Sequence, residues 1–115
     1  MAIQRFQSGS RMSQAVVHNQ VVYLAGQVAT GPTVTEQTKA VLASIDSLLA
    51  EVGTDRSRLL QATIWLSDMQ DFGAMNAVWE EWIGGRNAPA RATVEVKLAT
   101  PDYKVEIIVV AAMPA

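Results

Sequence analysis

In Val105-Glu106-Ile107-Ile108-Val109-Val110, apolar side chains fill consecutive positions instead of alternate ones. Successive side chains of a β-strand point to opposite faces, so such a run needs apolar cover on both. Val21-Val22-Tyr23-Leu24-Ala25 makes the same demand. Only two segments of the chain have the spacing of amphipathic helices, enough to cover one face of a sheet. The other face needs a cover that this chain does not contain, and further copies of the chain are the simplest one. The expectation is a homo-oligomer.

The helical segments are distinct. Thr33-Val34-Thr35-Glu36 has the form of a capping box, a threonine followed three positions later by glutamate. Val34, Val41, Leu42, Ile45, Leu48, Leu49 and Val52 then recur along one helical face, and Gly53 is a natural stop. A second helix, capped by Ser67 or Asp68, carries the stripe Phe72, Met75, Trp79, Trp82 and Ile83, and ends at Gly84-Gly85. Strands are expected at Ile3–Phe6, Gln14–Val17 and Val21–Val28, the last two as a hairpin around His18-Asn19-Gln20. A fourth runs over Leu60–Ser67, where Leu60, Ala62, Ile64 and Leu66 alternate with Gln61, Thr63, Trp65 and Ser67. Arg91–Lys97 and Tyr103–Ala112 complete the set, separated by a turn containing Pro101-Asp102. The order is β-β-β-α-β-α-β-β, an α+β arrangement read as one domain over residues 1–115.

Bulk properties remove several function classes. Half of the residues are apolar and 17% are charged, a composition that folds. A net charge of -2, with Arg56-Ser57-Arg58 as the densest basic cluster, makes a poor phosphate track, so no nucleic acid partner is expected. The absence of cysteine excludes disulfides, thiolate metal sites and a cysteine nucleophile. His18, the single histidine, cannot hold a metal alone and reads as a turn or surface residue. Met1–Phe6 lacks the apolar core of a signal peptide, and no apolar run reaches membrane-spanning length. A soluble cytoplasmic protein is expected.

Two residues stand out chemically. Arg91 lies at the mouth of a strand just beyond Pro89, and its planar fork suits a carboxylate. Glu106 interrupts the greasiest strand, where an unaided charge is very costly. The two strands are joined by a short connection and are expected to be neighbours. The pair then reads either as an ion pair or as a site. Other features have plainer readings. Glu80-Glu81 is a solvated helix face, while Trp65, Trp79 and Trp82 sit at core spacings. Met12, Met69 and Met75 read as gap fillers. Glu95 and Lys97 share a strand face with Arg91 and are placed to pair across the sheet.

The run Pro89-Ala90-Arg91-Ala92-Thr93-Val94-Glu95-Val96, with Val105-Glu106-Ile107 after it, resembles the C-terminal signature of the RidA (YjgF) family of enamine/imine deaminases. Leu24-Ala25-Gly26-Gln27-Val28 and Asp71-Phe72-Gly73-Ala74-Met75-Asn76 are similar to further motifs of that family. The resemblance spans nearly the whole chain. It implies a chorismate-mutase-like fold, with a mixed six-stranded sheet, two helices on one face and a homotrimeric barrel with clefts between subunits. It also implies hydrolysis of 2-enamino or 2-imino acids to 2-oxo acids and ammonia. Arg91 would bind the substrate carboxylate and Glu106 would hold or activate water. Gly26, Ala25, Thr93, Asn76 and Met12 match positions around the pocket. No metal or organic cofactor is implied. The substrate would come from a pyridoxal-phosphate-dependent dehydratase or an amino-acid oxidase.

Three positions depart from the family pattern. Ala25 stands where a serine is common, Met12 where a tyrosine is frequent, and Thr93 where a cysteine is often found. The first two changes remove hydrogen-bond donors and bear on substrate range more than on reaction type. The same pocket also suits a non-catalytic binder of small carboxylates or partner proteins.

Overall fold

The computed structural model describes residues 2–115. Eight elements follow in the order β1 (Gln4–Ser8), β2 (Ser13–His18), β3 (Val21–Leu24), α1 (Val34–Val52), β4 (Leu59–Leu66), α2 (Phe72–Ile83), β5 (Ala90–Glu95) and β6 (Val105–Ala112). The order matches the sequence expectation. The strands form one sheet, β1-β2-β3-β6-β4-β5, in which β4 and β5 run parallel and every other neighbouring pair is antiparallel.

Helix α1 starts as its capping signal dictates. The Thr33 hydroxyl accepts a hydrogen bond from the Glu36 amide at 3.2 Å, and Gly53 closes the helix in the left-handed conformation at φ 95°. Its apolar stripe packs, together with Met75 and Trp79 of α2, on the sheet face formed by Ala15, Val17, Val22, Leu24, Ala62, Ile64, Leu66, Val105, Ile107, Val109 and Ala111. Each of these sheet residues is buried. Gln37 is buried in the same helix, and its amide is fully engaged. Nε2 donates to the carbonyls of Gly31 and Asp102 at 3.0 and 2.9 Å, and Oε1 accepts from the Lys104 amide at 2.8 Å. This side chain fixes the entry into β6, two residues before Glu106.

The opposite sheet face has no helix over it. Val16, Thr63, Trp65, Glu106, Ile108 and Val110 are half-buried there, while Tyr23 and Val94 are 49% and 47% exposed. That is the uncovered apolar face that the consecutive apolar runs required. Among the described residues, no helix is long and apolar enough to cross a membrane.

Several boundaries differ from expectation. The first strand is Gln4–Ser8, not Ile3–Phe6, because Phe6 must stand opposite Ala15 to reach the core side. The strand expected over Val21–Val28 ends at Leu24, and the chain returns to the sheet only as a single bridge between Gln27 and Ile107. The strand expected from Leu60 begins at Leu59, which enters the core. A register shift between Leu59 and Gln61 leaves Leu60 49% exposed. The last two strands are Ala90–Glu95 and Val105–Ala112, shorter than Arg91–Lys97 and Tyr103–Ala112. A short 3₁₀ turn, Met69–Asp71, precedes α2, and the Asp68 carboxylate accepts from the Gln70 amide at its start.

Candidate functional site

The sheet register separates the two leading residues. Arg91 lies beside Ala62 and Glu106 beside Trp65 on the shared neighbour β4. Ala62 and Trp65 are three positions apart, an odd separation, so their side chains point to opposite faces. Arg91 therefore lies on the helix-covered face and Glu106 on the open one. Their strands are not neighbours, since β4 runs between them. The expected approach of the two side chains within one chain, and with it the ion-pair reading, is overturned. The connection from β5 carries the chain past β4, so that β6 pairs along the other edge of β4.

Arg91 has an aromatic setting. Its Cζ lies 5.5 Å from the centroid of the Trp79 ring and 5.9 Å from that of Phe72. Phe72, Asn76 and Trp79 follow one another at helical spacing on α2, so they share the face turned to Arg91. Among the described residues the one ion pair joins Arg56 and Asp46, and Arg91 has no carboxylate partner. Burial pushes the Arg91 pKa down, opposed by the charge of Glu80. Thr93 lies two residues along the same strand face, beside Ile64. The Thr93 hydroxyl and the Asn76 Oδ1 atom are both buried without a hydrogen-bond partner. Such groups each cost about 1–3 kcal/mol when left unsatisfied. Arg91, Thr93 and Asn76 thus belong to one group, between β5 and α2.

Glu106, Gly26 and Ala25 form a second group. The Glu106 carboxyl occupies the space where a side chain at Gly26 would begin. A Cβ there would collide with Oε2 and lie 3.0 Å from Cδ. Paired backbone bonds between Gln27 and Ile107, at 2.9 and 3.1 Å, hold the Ala25-Gly26 segment against β6. Burial pushes the Glu106 carboxyl above its ordinary pKa. The Gln27 amide nitrogen donates to Gln14 and to the Ala25 carbonyl at 2.9 and 3.0 Å. Met12 lies nearby in sequence, in the β1–β2 turn, and is 55% exposed. The structure thus brings six of the seven residues together as two separate groups, with Asn76 and Thr93 beside Arg91 and the small Gly26 and Ala25 beside Glu106. Met12 joins neither directly.

Other expectations divide. Trp79 is buried, as expected of a core residue, but Trp65 is half-buried on the open face beside Glu106. The alternation of Ala62, Ile64 and Leu66 already carried that signal, since it leaves Trp65 on the other face. Among the described residues neither Glu95 nor Lys97 forms an ion pair across the sheet; Glu95 accepts from the Met69 amide at 2.8 Å and pins the turn before α2. His18 ends β2 half-buried, with Nδ1 unpartnered. The aromatic setting of Arg91 and the anchoring by Gln37 were not read from the sequence. Both depend on distant segments that no local pattern joins.

Comparison with known proteins agrees with this architecture. Residues 2–113 match the protein family described as Endoribonuclease L-PSP. A RutC family protein of Haemophilus influenzae is 46% identical over 117 residues, covering 96% of this chain and 98% of the relative. The RutC family protein YoaB of Escherichia coli is 42% identical, covering 98% of this chain and all of its own. The crystal structure of a YjgF-family protein from Neisseria meningitidis superposes with a TM-score of 0.97 at 44% identity, covering 100% of this chain and 98% of that one. The YjgF resemblance read from the motifs is borne out: this chain belongs to the Endoribonuclease L-PSP family, alongside its RutC and YjgF relatives.

Proposed function

We propose that this protein hydrolyses reactive 2-enamino and 2-imino acids to 2-oxo acids and ammonia, at sites completed between copies of the chain. The observation that carries the reading is Arg91, a half-buried guanidinium with no carboxylate partner among the described residues. A ligand carboxylate supplies what the chain withholds. Glu106 is the complementary part, a carboxyl group with raised pKa seated against backbone. In an assembly that buries the open sheet faces, three copies around a barrel, the Glu106 group of one copy meets the Arg91 group of the next.

The chemistry asks little more. The imine carbon is already electrophilic. Water adds to the carbon of the protonated imine as Glu106 takes one of its protons, forming a C–O bond and a neutral carbinolamine. Glu106 returns that proton to the nitrogen, the C–N bond breaks with its electron pair leaving on ammonia, and the remaining hydroxyl proton passes to the Glu106 carboxylate as the C=O of the 2-oxo acid forms. Asn76 and Thr93 are assigned to the Arg91 side of the pocket, Gly26 and Ala25 to the Glu106 side, and Met12 to its rim. The family description names a ribonuclease, but a net charge of -2 and the lack of a basic track give this chain little to hold a phosphate backbone.

The test generates an imine from an amino acid with an amino-acid oxidase and follows its decay with and without the protein. Accelerated decay is expected. Binding of 2-oxo acids without acceleration sinks the deaminase reading in favour of a carboxylate binder.

The pH profile follows from the raised Glu106 pKa. The ionised form needed to take a proton appears only as the pH rises through that raised value. kcat/KM is therefore expected to climb with pH along an acid limb lying above the ordinary glutamate value of about 4.3. Glu106→Gln removes this limb and lowers the rate by about 100-fold or more. A rate that stays level through the acid range in the parent protein contradicts the assignment.

Gly26→Ala tests the seat itself. The atoms in its way belong to the end of the flexible Glu106 side chain, which can swing aside. The fold should survive, with Tm within a few degrees, while kcat drops by about 100-fold as the carboxyl leaves its place. Full activity in this variant rules out a working position of Glu106 against Gly26.

A further inference from the structure

We propose that Trp79 is a positioning residue, whose indole, together with the Phe72 ring, holds the Arg91 guanidinium in the attitude that receives a ligand carboxylate. This rests on the carboxylate role proposed for Arg91. An arginine side chain has about 2 kcal/mol of rotamer entropy to lose when it is fixed. An acidic neighbour would fix it but would also occupy its donors. At Arg91 the structure uses two aromatic faces instead, with Cζ 5.5 Å from Trp79 and 5.9 Å from Phe72. Rings attract the cation without accepting its N–H groups, so the fork is ordered before a ligand arrives and stays free to bind one.

Trp79 is itself held. It is 5% exposed, and its ring centroid lies 5.4 Å from that of Trp82. Trp82 donates from Nε1 to the Asp46 carboxylate of α1 at 2.9 Å, and the Arg56 Cζ lies 4.9 Å from its ring centroid. The attitude of Arg91 on the edge strand is thereby referred back through two indoles to the middle of α1.

The experiment measures binding of 2-oxobutanoate to the full chain by calorimetry, with 2-oxobutanamide as the ligand lacking a carboxylate, and imine kinetics alongside. Trp79→Leu is expected to weaken 2-oxobutanoate binding about tenfold, Phe72→Leu about threefold, and Trp79→Phe less than about twofold, in line with the strength of cation–π contacts. The kinetic effect should fall on KM, with kcat nearly unchanged, and the amide should bind all variants alike. In an Arg91→Ala background, Phe72→Leu should add nothing. If folded Trp79→Leu and Phe72→Leu bind 2-oxobutanoate as the parent does, or if kcat falls while KM stays, the positioning role is wrong and the carboxylate role stands. If the parent fails to bind 2-oxobutanoate, both fall. Should Trp79→Leu not fold, Phe72→Leu decides, because that ring is 38% exposed and its loss leaves little cavity.

Discussion

Arg91→Ala should lower kcat/KM for a 2-imino acid by about 100- to 1000-fold, the loss that follows when one partner of a desolvated, charge-assisted contact is removed. The size follows from its surroundings. The guanidinium is half-buried between β5 and α2, where water screens a bound carboxylate less than on an open surface. The other arginine packed on an indole, Arg56, is already engaged by Asp46 and by the Trp82 carbonyl. Arg91→Lys should recover only part of the loss, because an ammonium cannot reproduce a two-pronged contact. The measurement is decay of an oxidase-generated imine under matched protein concentrations. Undiminished turnover by the alanine variant eliminates the clamp.

A mixture of two inactive variants should regain activity. Within one chain, Arg91 and Glu106 face opposite sides of the sheet with β4 between them. A site holding both must take them from different copies. When Arg91→Ala and Glu106→Gln chains are unfolded together in equal amounts and refolded, a site draws an intact arginine from one copy and an intact glutamate from its neighbour about one time in four. The mixture should therefore show about a quarter of the parent activity, against almost none for either variant alone. Mixing without unfolding should give less, rising with time as subunits exchange. Continued inactivity after verified co-assembly shows that the two residues do not share a site between copies. The result also separates assembly through the open face from a site built within one copy.

The elements were legible because their signals are local. Thr33, Glu36 and Gly53 mark α1 at both ends, and the structure caps it there. The consecutive apolar positions of β3 and β6 disclose a sheet with one face left uncovered by the two helices. The placement of strands was less legible. Arg91 and Glu106 lie on sequence-adjacent strands, and adjacency in sequence suggested adjacency in space. The parallel pairing of β4 with β5, which puts β4 between them, leaves no mark in either strand. Trp65 was misjudged for another reason. Its bulk suggested the core, while the alternation of its own strand placed it opposite the core. Gln37 reads as an ordinary helix residue, and its burial emerges only when the turn before β6 closes over it.

Two arginines of this protein sit over indoles, and they differ in what the fold gains from them. Arg56 donates to Asp46 and to the Trp82 carbonyl, so it laces α1 to α2 and contributes to stability. Arg91 has a similar ring contact but no carboxylate within ion-pairing distance among the described residues, and burial disfavours its charge while Glu80 favours it. A carboxylate ligand should raise the parent's Tm, and Arg91→Ala should lose that rise. One arginine is committed within the fold, and the other is left open to a partner from outside it.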